Sequence, residues 1–293
     1  LSSFHYVTLV GGHVLAQLTL LLMLYFFDTQ AISDWGWRVA FAIGGIGAIV
    51  VFRLRRTMDE SLPEQAIDAA RSGQAARSGS LRELLVNQWR PLLLCFGITA
   101  GGTLAFYTYS VIGPKLIQGL FAGGDVMTGV VLNLVVLTIL MLLQPLGGWL
   151  SDIVGRKSLL VFFGIGGVLY TGYLLTALPQ QGNWVTAFAI LAVGVLILTG
   201  YPSINAVVKA ELFPAHVRAL GVGLGYALAN SAFGGTAPLL YQAALHADAL
   251  SMFIYYATAV IAVSLLVYVF CLDNRASNWL DDPAAMDAAR RPR

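Results

Sequence analysis

Between residues 145 and 158 one long apolar segment ends, the chain turns on a single glycine between an acid and two bases, and a second long apolar segment begins. The turn reads Ser151, Asp152, Ile153, Val154, Gly155, Arg156, Lys157. So short a connection between two helices makes them antiparallel neighbours. Its charges belong at a bilayer surface, because one such side chain at the bilayer centre costs roughly 2.5 to 3.5 kcal/mol on insertion scales. Composition agrees, with 58% hydrophobic and only 11% charged residues. That is too apolar for a core wrapped in a wetted surface. The fold class is therefore an all-α polytopic membrane protein, and a net charge of +2 gives no reason to expect a nucleic-acid partner.

Apolar runs of about 20 residues, enough to cross roughly 30 Å of hydrocarbon, fall at 6–27, 36–52, 91–116, 127–150, 158–178, 185–208, 219–245 and 251–272. These predict eight transmembrane helices, the third interrupted at Gly101 and Gly102. Residues 53–90 are a polar linker with short amphipathic pieces such as Leu81–Leu85, expected on the membrane surface, and 273–293 form a polar tail. If the linker is cytoplasmic, alternation places 15 of the 17 basic residues on that side, Lys209 among them, and leaves Arg38 and Lys115 elsewhere. The excess of bases then puts both ends of the chain in the cytoplasm. Cys95 and Cys271 lie in different apolar runs without metal-ligand spacing and are expected as buried hydrophobes.

The run Gly148-x-Leu150-Ser151-Asp152-x-x-Gly155-Arg156-Lys157 resembles the cytoplasmic loop motif of the major facilitator superfamily. The resemblance implies two six-helix halves joined by a cytoplasmic linker. Six spans follow the linker here and two precede it, so the expected content is helices five to twelve, with the first four absent from an N-terminally truncated chain. Residues 1–52 would close the first half and 91–272 would form the second. Three further stretches resemble the metabolite:proton symporter branch, and within it the bacterial α-ketoglutarate permeases. They are Trp35-Gly36-Trp37-Arg38, Arg56-x-Met58-Asp59-Glu60-Ser61, and Lys209-Ala210-Glu211-Leu212-Phe213-Pro214 continuing to Gly223. Tyr226 to Gly235 and Phe106-Tyr107-Thr108 extend the likeness, whereas Ala40 and His13 depart from it.

That resemblance implies proton-coupled uptake of a small organic acid, α-ketoglutarate or a similar dicarboxylate, by alternating access in a bacterial inner membrane. It also implies a monomer that uses protons as coupling ion and no other cofactor. The alternatives are a symporter for another metabolite, such as citrate, shikimate or proline and betaine, or an inactive transporter remnant. A membrane enzyme is not expected, since no nucleophile, metal cluster or acid pair shares one surface.

Polar side chains inside hydrocarbon are expensive and usually face a bundle interior or a wet cavity. Helical spacing groups Tyr6, His13 and Gln17 on one face, Gly101, Thr108 and Lys115 on another, and pairs Tyr201 with Asn205 and Tyr226 with Asn230. Such stripes describe either a polar path or interhelical hydrogen bonding. The candidate substrate residues are Lys115, Arg38, Tyr107, Thr108, Tyr201, Asn205 and Asn230. For Lys115 and Arg38 the competing role is snorkelling to headgroups, and Asp34 is a possible partner for Arg38. His13, the one intramembrane group that titrates near neutrality, is either a proton relay or a hydrogen-bonded bundle residue. The candidate cytoplasmic gate comprises Gly148, Asp152, Gly155, Arg156, Lys157, Glu211 and Arg218. Asp152 is expected to face the helix N-terminus at Arg218, Ala219 and Leu220, and Arg156 to pair with Glu211.

Overall fold

Hydrocarbon offers the backbone no hydrogen-bond partner, so each apolar run must satisfy its own N–H and C=O groups as a helix. The computed structural model of the chain describes residues 3–57, 81–121, 125–214 and 216–272. Helix α1 spans Ser3–Phe26. Helix α2 covers 29–57, with a π turn at Ile32–Gly36. The short α3 is Leu81–Asn87 and the long α4 is Trp89–Phe121, with a π turn at Thr108–Ile112. Helices α5 (Val126–Val154) and α6 (Arg156–Ala177) flank the turn described above. Helix α7 (Trp184–Glu211) breaks at Gly200 and Tyr201, and Pro202 starts its second piece. Helix α8 covers 218–246 in two pieces around a π turn at Asn230–Gly235, and α9 is Leu250–Cys271.

Seven of these helices are long and apolar enough to cross a membrane. The expected span at 219–245 differs, because Thr236 interrupts it before Ala237–His246. The expected interruption at Gly101 and Gly102 is also corrected. Helix α4 runs straight through both glycines, and its irregular turn comes later, at Thr108. The head of the linker from residue 58 and the tail 273–293 lie outside the described residues.

Local chemistry explains the boundaries. Asp125 caps α5, accepting the Thr128 N–H at 2.8 Å and the Thr128 hydroxyl at 2.6 Å. Asn183 caps α7 by accepting the Val185 N–H at 2.8 Å. Gly155 ends α5 and opens α6 at φ +88°, a left-handed backbone that a side chain would strain. This conformation is what allows two helices of 29 and 22 residues to reverse within one residue.

The buried core lies among α4, α5, α6, α7 and α9, centred on Leu104, Tyr109, Leu140, Phe163, Leu198 and Ile261. Helix α9 is stitched to α4 through backbone. The Ser264 hydroxyl accepts the Gly101 N–H at 2.8 Å and donates to the Gly97 carbonyl at 2.6 Å, standing between groups that a regular helix pairs directly. Tyr268 donates to the Ile98 carbonyl at 2.9 Å on the same side. Helix α1 packs along α5 and touches the second piece of α7, whereas α2 leaves Phe41 and Ile46 largely exposed. Helix α3 does not merely rest on a membrane surface: Leu84 is fully buried against Cys95 and Phe213. Cys95 is buried as expected, but Cys271 is exposed.

Candidate functional site

The second piece of α7 carries buried polar side chains at Ser203, Asn205 and Lys209. Pro202 begins it, since a residue without an N–H costs nothing in the first turn. From there Ser203, Asn205 and Lys209 point into the protein, each 2% exposed or less. Asn205 donates its amide hydrogen to the Tyr6 hydroxyl, joining α7 to α1 across 199 residues of sequence. Four residues before Asn205, buried Tyr201 lays its ring directly over Gly102 of α4. A Cβ at residue 102 would coincide with that ring. Glycine is thus required by close approach, not by conformation.

Lys209, expected in a connection between spans, is instead a buried residue of the helix. Helix α7 continues to Glu211, so Lys209 still belongs to the buried face. Helical side chains lean toward the N-terminus, and the lysine stem follows that direction back along the helix. Its Nζ donates to the Tyr201 hydroxyl at 3.4 Å and lies 4.5 Å from the Tyr226 ring centroid and 5.7 Å from that of Tyr201. The signal available in the sequence was the phase of Tyr201, Asn205 and Lys209, each four residues apart.

The other candidate substrate residues are dispersed. Tyr107 is half-buried with its ring against Gly234 and Phe106, and Thr108 turns its hydroxyl back to the Leu104 carbonyl at 2.8 Å. Asn230 is half-buried at the start of the π turn in α8. Lys115 is exposed near the end of α4, away from Gly101, whose N–H is held by Ser264. Arg38 is exposed on α2. Its guanidinium donates to the Asp34 backbone carbonyl at 3.0 Å and lies over Trp37. The expected carboxylate pairing is replaced, since the Asp34 carboxylate accepts from Gln30 instead. His13 is exposed, with Nδ1 3.1 Å from the Leu9 carbonyl and its ring edge-on to Phe106.

At the end of the bundle bearing the 151–157 turn, Arg156 pairs with Glu211. Lys157 donates to the Leu272 carbonyl at 2.7 Å, tying α6 to the end of α9, and Arg218 donates through Nε to the Phe213 carbonyl at 3.2 Å. Gly148 is buried, and its carbonyl accepts from Ser151 at 2.6 Å. Asp152 differs from expectation: it is exposed, and no hydrogen bond or ion pair joins it to the start of α8 among the described residues. The contact missed from sequence is between Glu83 of α3 and His216, at 2.8 Å. Nothing in the spacing of residues 133 apart announces it.

A family model described as Major Facilitator Superfamily matches residues 9–238. The chain belongs to the major facilitator superfamily. The relatives it matches are named as transporters. It is 36% identical over 267 residues to the alpha-ketoglutarate permease of Escherichia coli K12, covering 91% of this chain and 60% of that protein. It is 30% identical over 221 residues to the citrate-proton symporter of Klebsiella pneumoniae, covering 74% of this chain and 47% of the relative. With the proline/betaine transporter of Escherichia coli K12 the identity is 25% over 269 residues, covering 89% and 53%. The chain thus spans about half to 60% of the length of these relatives.

Proposed function

We propose that the protein carrying this chain is a secondary active transporter that takes up a small organic acid together with protons by alternating access. The substrate is α-ketoglutarate or a similar dicarboxylate, and the membrane is a bacterial inner membrane with the linker and both ends of the chain in the cytoplasm. The chain supplies eight spans, with α8 as the broken one, corresponding to helices five to twelve of the fold. The protein works as a monomer with protons as its coupling ion.

The observation that carries the reading is the buried Tyr6–Asn205 contact beside the break in α7. Transporter sites form where a discontinuous helix meets a neighbour across the bundle, because unwound backbone and polar side chains there substitute for a substrate's hydration shell. Tyr201, Asn205, Tyr107, Thr108 and Asn230 are the substrate-site candidates of this reading, with Lys115 and Arg38 as entry cations and His13 as relay. Gly148, Asp152, Gly155, Arg156, Lys157, Glu211 and Arg218 form the cytoplasmic gate. A second reading, transport of citrate or of proline and betaine, is supported by the other relatives' names.

Competition decides between them. Uptake of labelled α-ketoglutarate by cells expressing the protein should be inhibited by unlabelled α-ketoglutarate at concentrations where citrate and proline have little effect. Equal or stronger inhibition by citrate or proline would move the substrate to the second reading.

A further inference from the structure

Lys209 is 2% exposed, yet it forms no ion pair among the described residues. Its one hydrogen bond is to the Tyr201 hydroxyl, so two of the three ammonium donors have no described acceptor. The groups that face it come from three helices. They are the Tyr201 ring from α7, the Tyr226 ring from α8, and the Cys95 thiol of α4, within electrostatic reach. A phenol and a thiol are neutral near pH 7, so none of these supplies a negative charge.

Lysine is almost never fully buried unless it is paired. Contact with aromatic faces offsets part of the cost of removing its hydration, but not the whole of it. The environment therefore favours an arriving anion. It is also well placed for one, because Asn205 lies one turn earlier on the same face and bonds to Tyr6 of α1. An ammonium on a flexible stem can keep its contact as the surrounding helices shift, which a planar fork does less well.

We propose that Lys209 is the cationic subsite for one carboxylate of the transported acid, with the Tyr226 and Tyr201 rings as its walls and the Tyr201 hydroxyl orienting the ammonium. This rests on the organic-acid transport reading and assigns it a residue. A carboxylate side chain from a part of the protein outside the described residues would offer the same chemistry. The test separates the two sources.

Binding of α-ketoglutarate and of 2-oxopentanoate, in which a methyl group replaces the distal carboxylate, is measured on the purified protein and on Lys209→Gln and Lys209→Arg. The wild-type protein should prefer the dicarboxylate by roughly tenfold or more, as expected for a buried charge pair. In Lys209→Gln that preference should collapse toward one, and Lys209→Arg should recover part of it. A preference that survives in Lys209→Gln would overturn the subsite and leave the lysine to an internal carboxylate, while the transport reading stands. Failure of the wild-type protein to bind either acid would instead sink the α-ketoglutarate reading.

If both variants fail to fold, the wild-type protein gives the answer by trapping. Succinic semialdehyde condenses with a lysine amine, losing water, and borohydride reduces the imine to a stable secondary amine. An adduct on Lys209 that excess α-ketoglutarate suppresses supports the subsite, and adducts confined to other lysines contradict it.

Discussion

Lys209 and Glu211 stand two residues apart at the end of one helix, yet Glu211 is ion-paired with Arg156 while Lys209 has no acid partner among the described residues. Two residues turn a helix by about 200°, so the pair cannot meet each other and must answer to different surroundings. Glu211 faces the start of α6, where Arg156 is partly exposed, and Lys209 faces the tyrosines inside the bundle. One helix end thus carries a candidate gate contact and a candidate substrate contact, which is a compact way to couple the two.

A buried, unpaired ammonium works against folding. Lys209→Met keeps the volume and removes the charge, so it should raise the thermal stability of the ligand-free protein, by roughly 1 kcal/mol or more, while abolishing acid uptake. Melting curves in detergent together with uptake assays check both halves of the expectation. A destabilised variant would mean that Lys209 already has an anionic partner.

The Arg156–Glu211 pair should contribute little in isolation, because the Arg156 side chain is 40% exposed. A double-mutant cycle with Arg156→Ala and Glu211→Gln should give a coupling of about 0.2 to 1 kcal/mol, falling as salt is added. Denaturation in low and high salt provides the four stabilities.

Asp152 is expected to make its contact with the start of α8 in another conformation of the cycle, since it is unpartnered among the described residues in this one. Asp152→Asn should slow transport while leaving binding of α-ketoglutarate nearly unchanged. Measuring uptake rate beside binding affinity distinguishes this from a residue with no role, whose replacement would alter neither.

Gly102→Ala places a methyl group in the space of the Tyr201 ring. The ring must move, at a cost of about 1 to 3 kcal/mol for overpacking, and the Lys209–Tyr201 contact should weaken with it. Reduced melting temperature and reduced acid binding should appear together. Gly119→Ala, with open space at its Cβ, is the matched control in the same helix and should change neither.

The Asp125 cap carries a pH dependence. Side-chain and backbone hydrogen bonds from Thr128 hold the Asp125 carboxyl below its usual range. A lowered folded-state value means that its stabilising effect is complete above the ordinary aspartate range and is lost as pH falls through the folded value. Asp125→Ala should therefore lower the melting temperature at pH 7, and the difference from wild type should shrink in strong acid. Thermal unfolding of both proteins across that range tests it.

The helices were legible because hydrocarbon leaves few choices: a 20-residue apolar run has to become a helix, and boundaries such as Asp125 and Gly155 carry their own local chemistry. The Arg156–Glu211 pairing was legible too, since both residues flank turns expected at one end of the bundle. The break at Gly200 and Tyr201 had a signal in Pro202, whose missing N–H interrupts a regular helix, but the apolar residues before it and after Asn205 read as one span of membrane length. The burial of Lys209 is not legible in the sequence: a base within two residues of a helix end reads as a loop residue, and only the packing of Tyr226 and Tyr201 around it shows that it points inward. The Glu83–His216 contact depends on how α3 docks through Leu84, which periodicity does not reveal.

Reconstitution shows whether the protein moves an organic acid together with protons. The protein carrying this chain is placed in liposomes, a pH gradient acid outside is imposed, and entry of labelled α-ketoglutarate is followed. Proton-coupled uptake predicts accumulation above the outside concentration that collapses when a protonophore is added. Entry that never exceeds equilibrium, or accumulation indifferent to the protonophore, would contradict it.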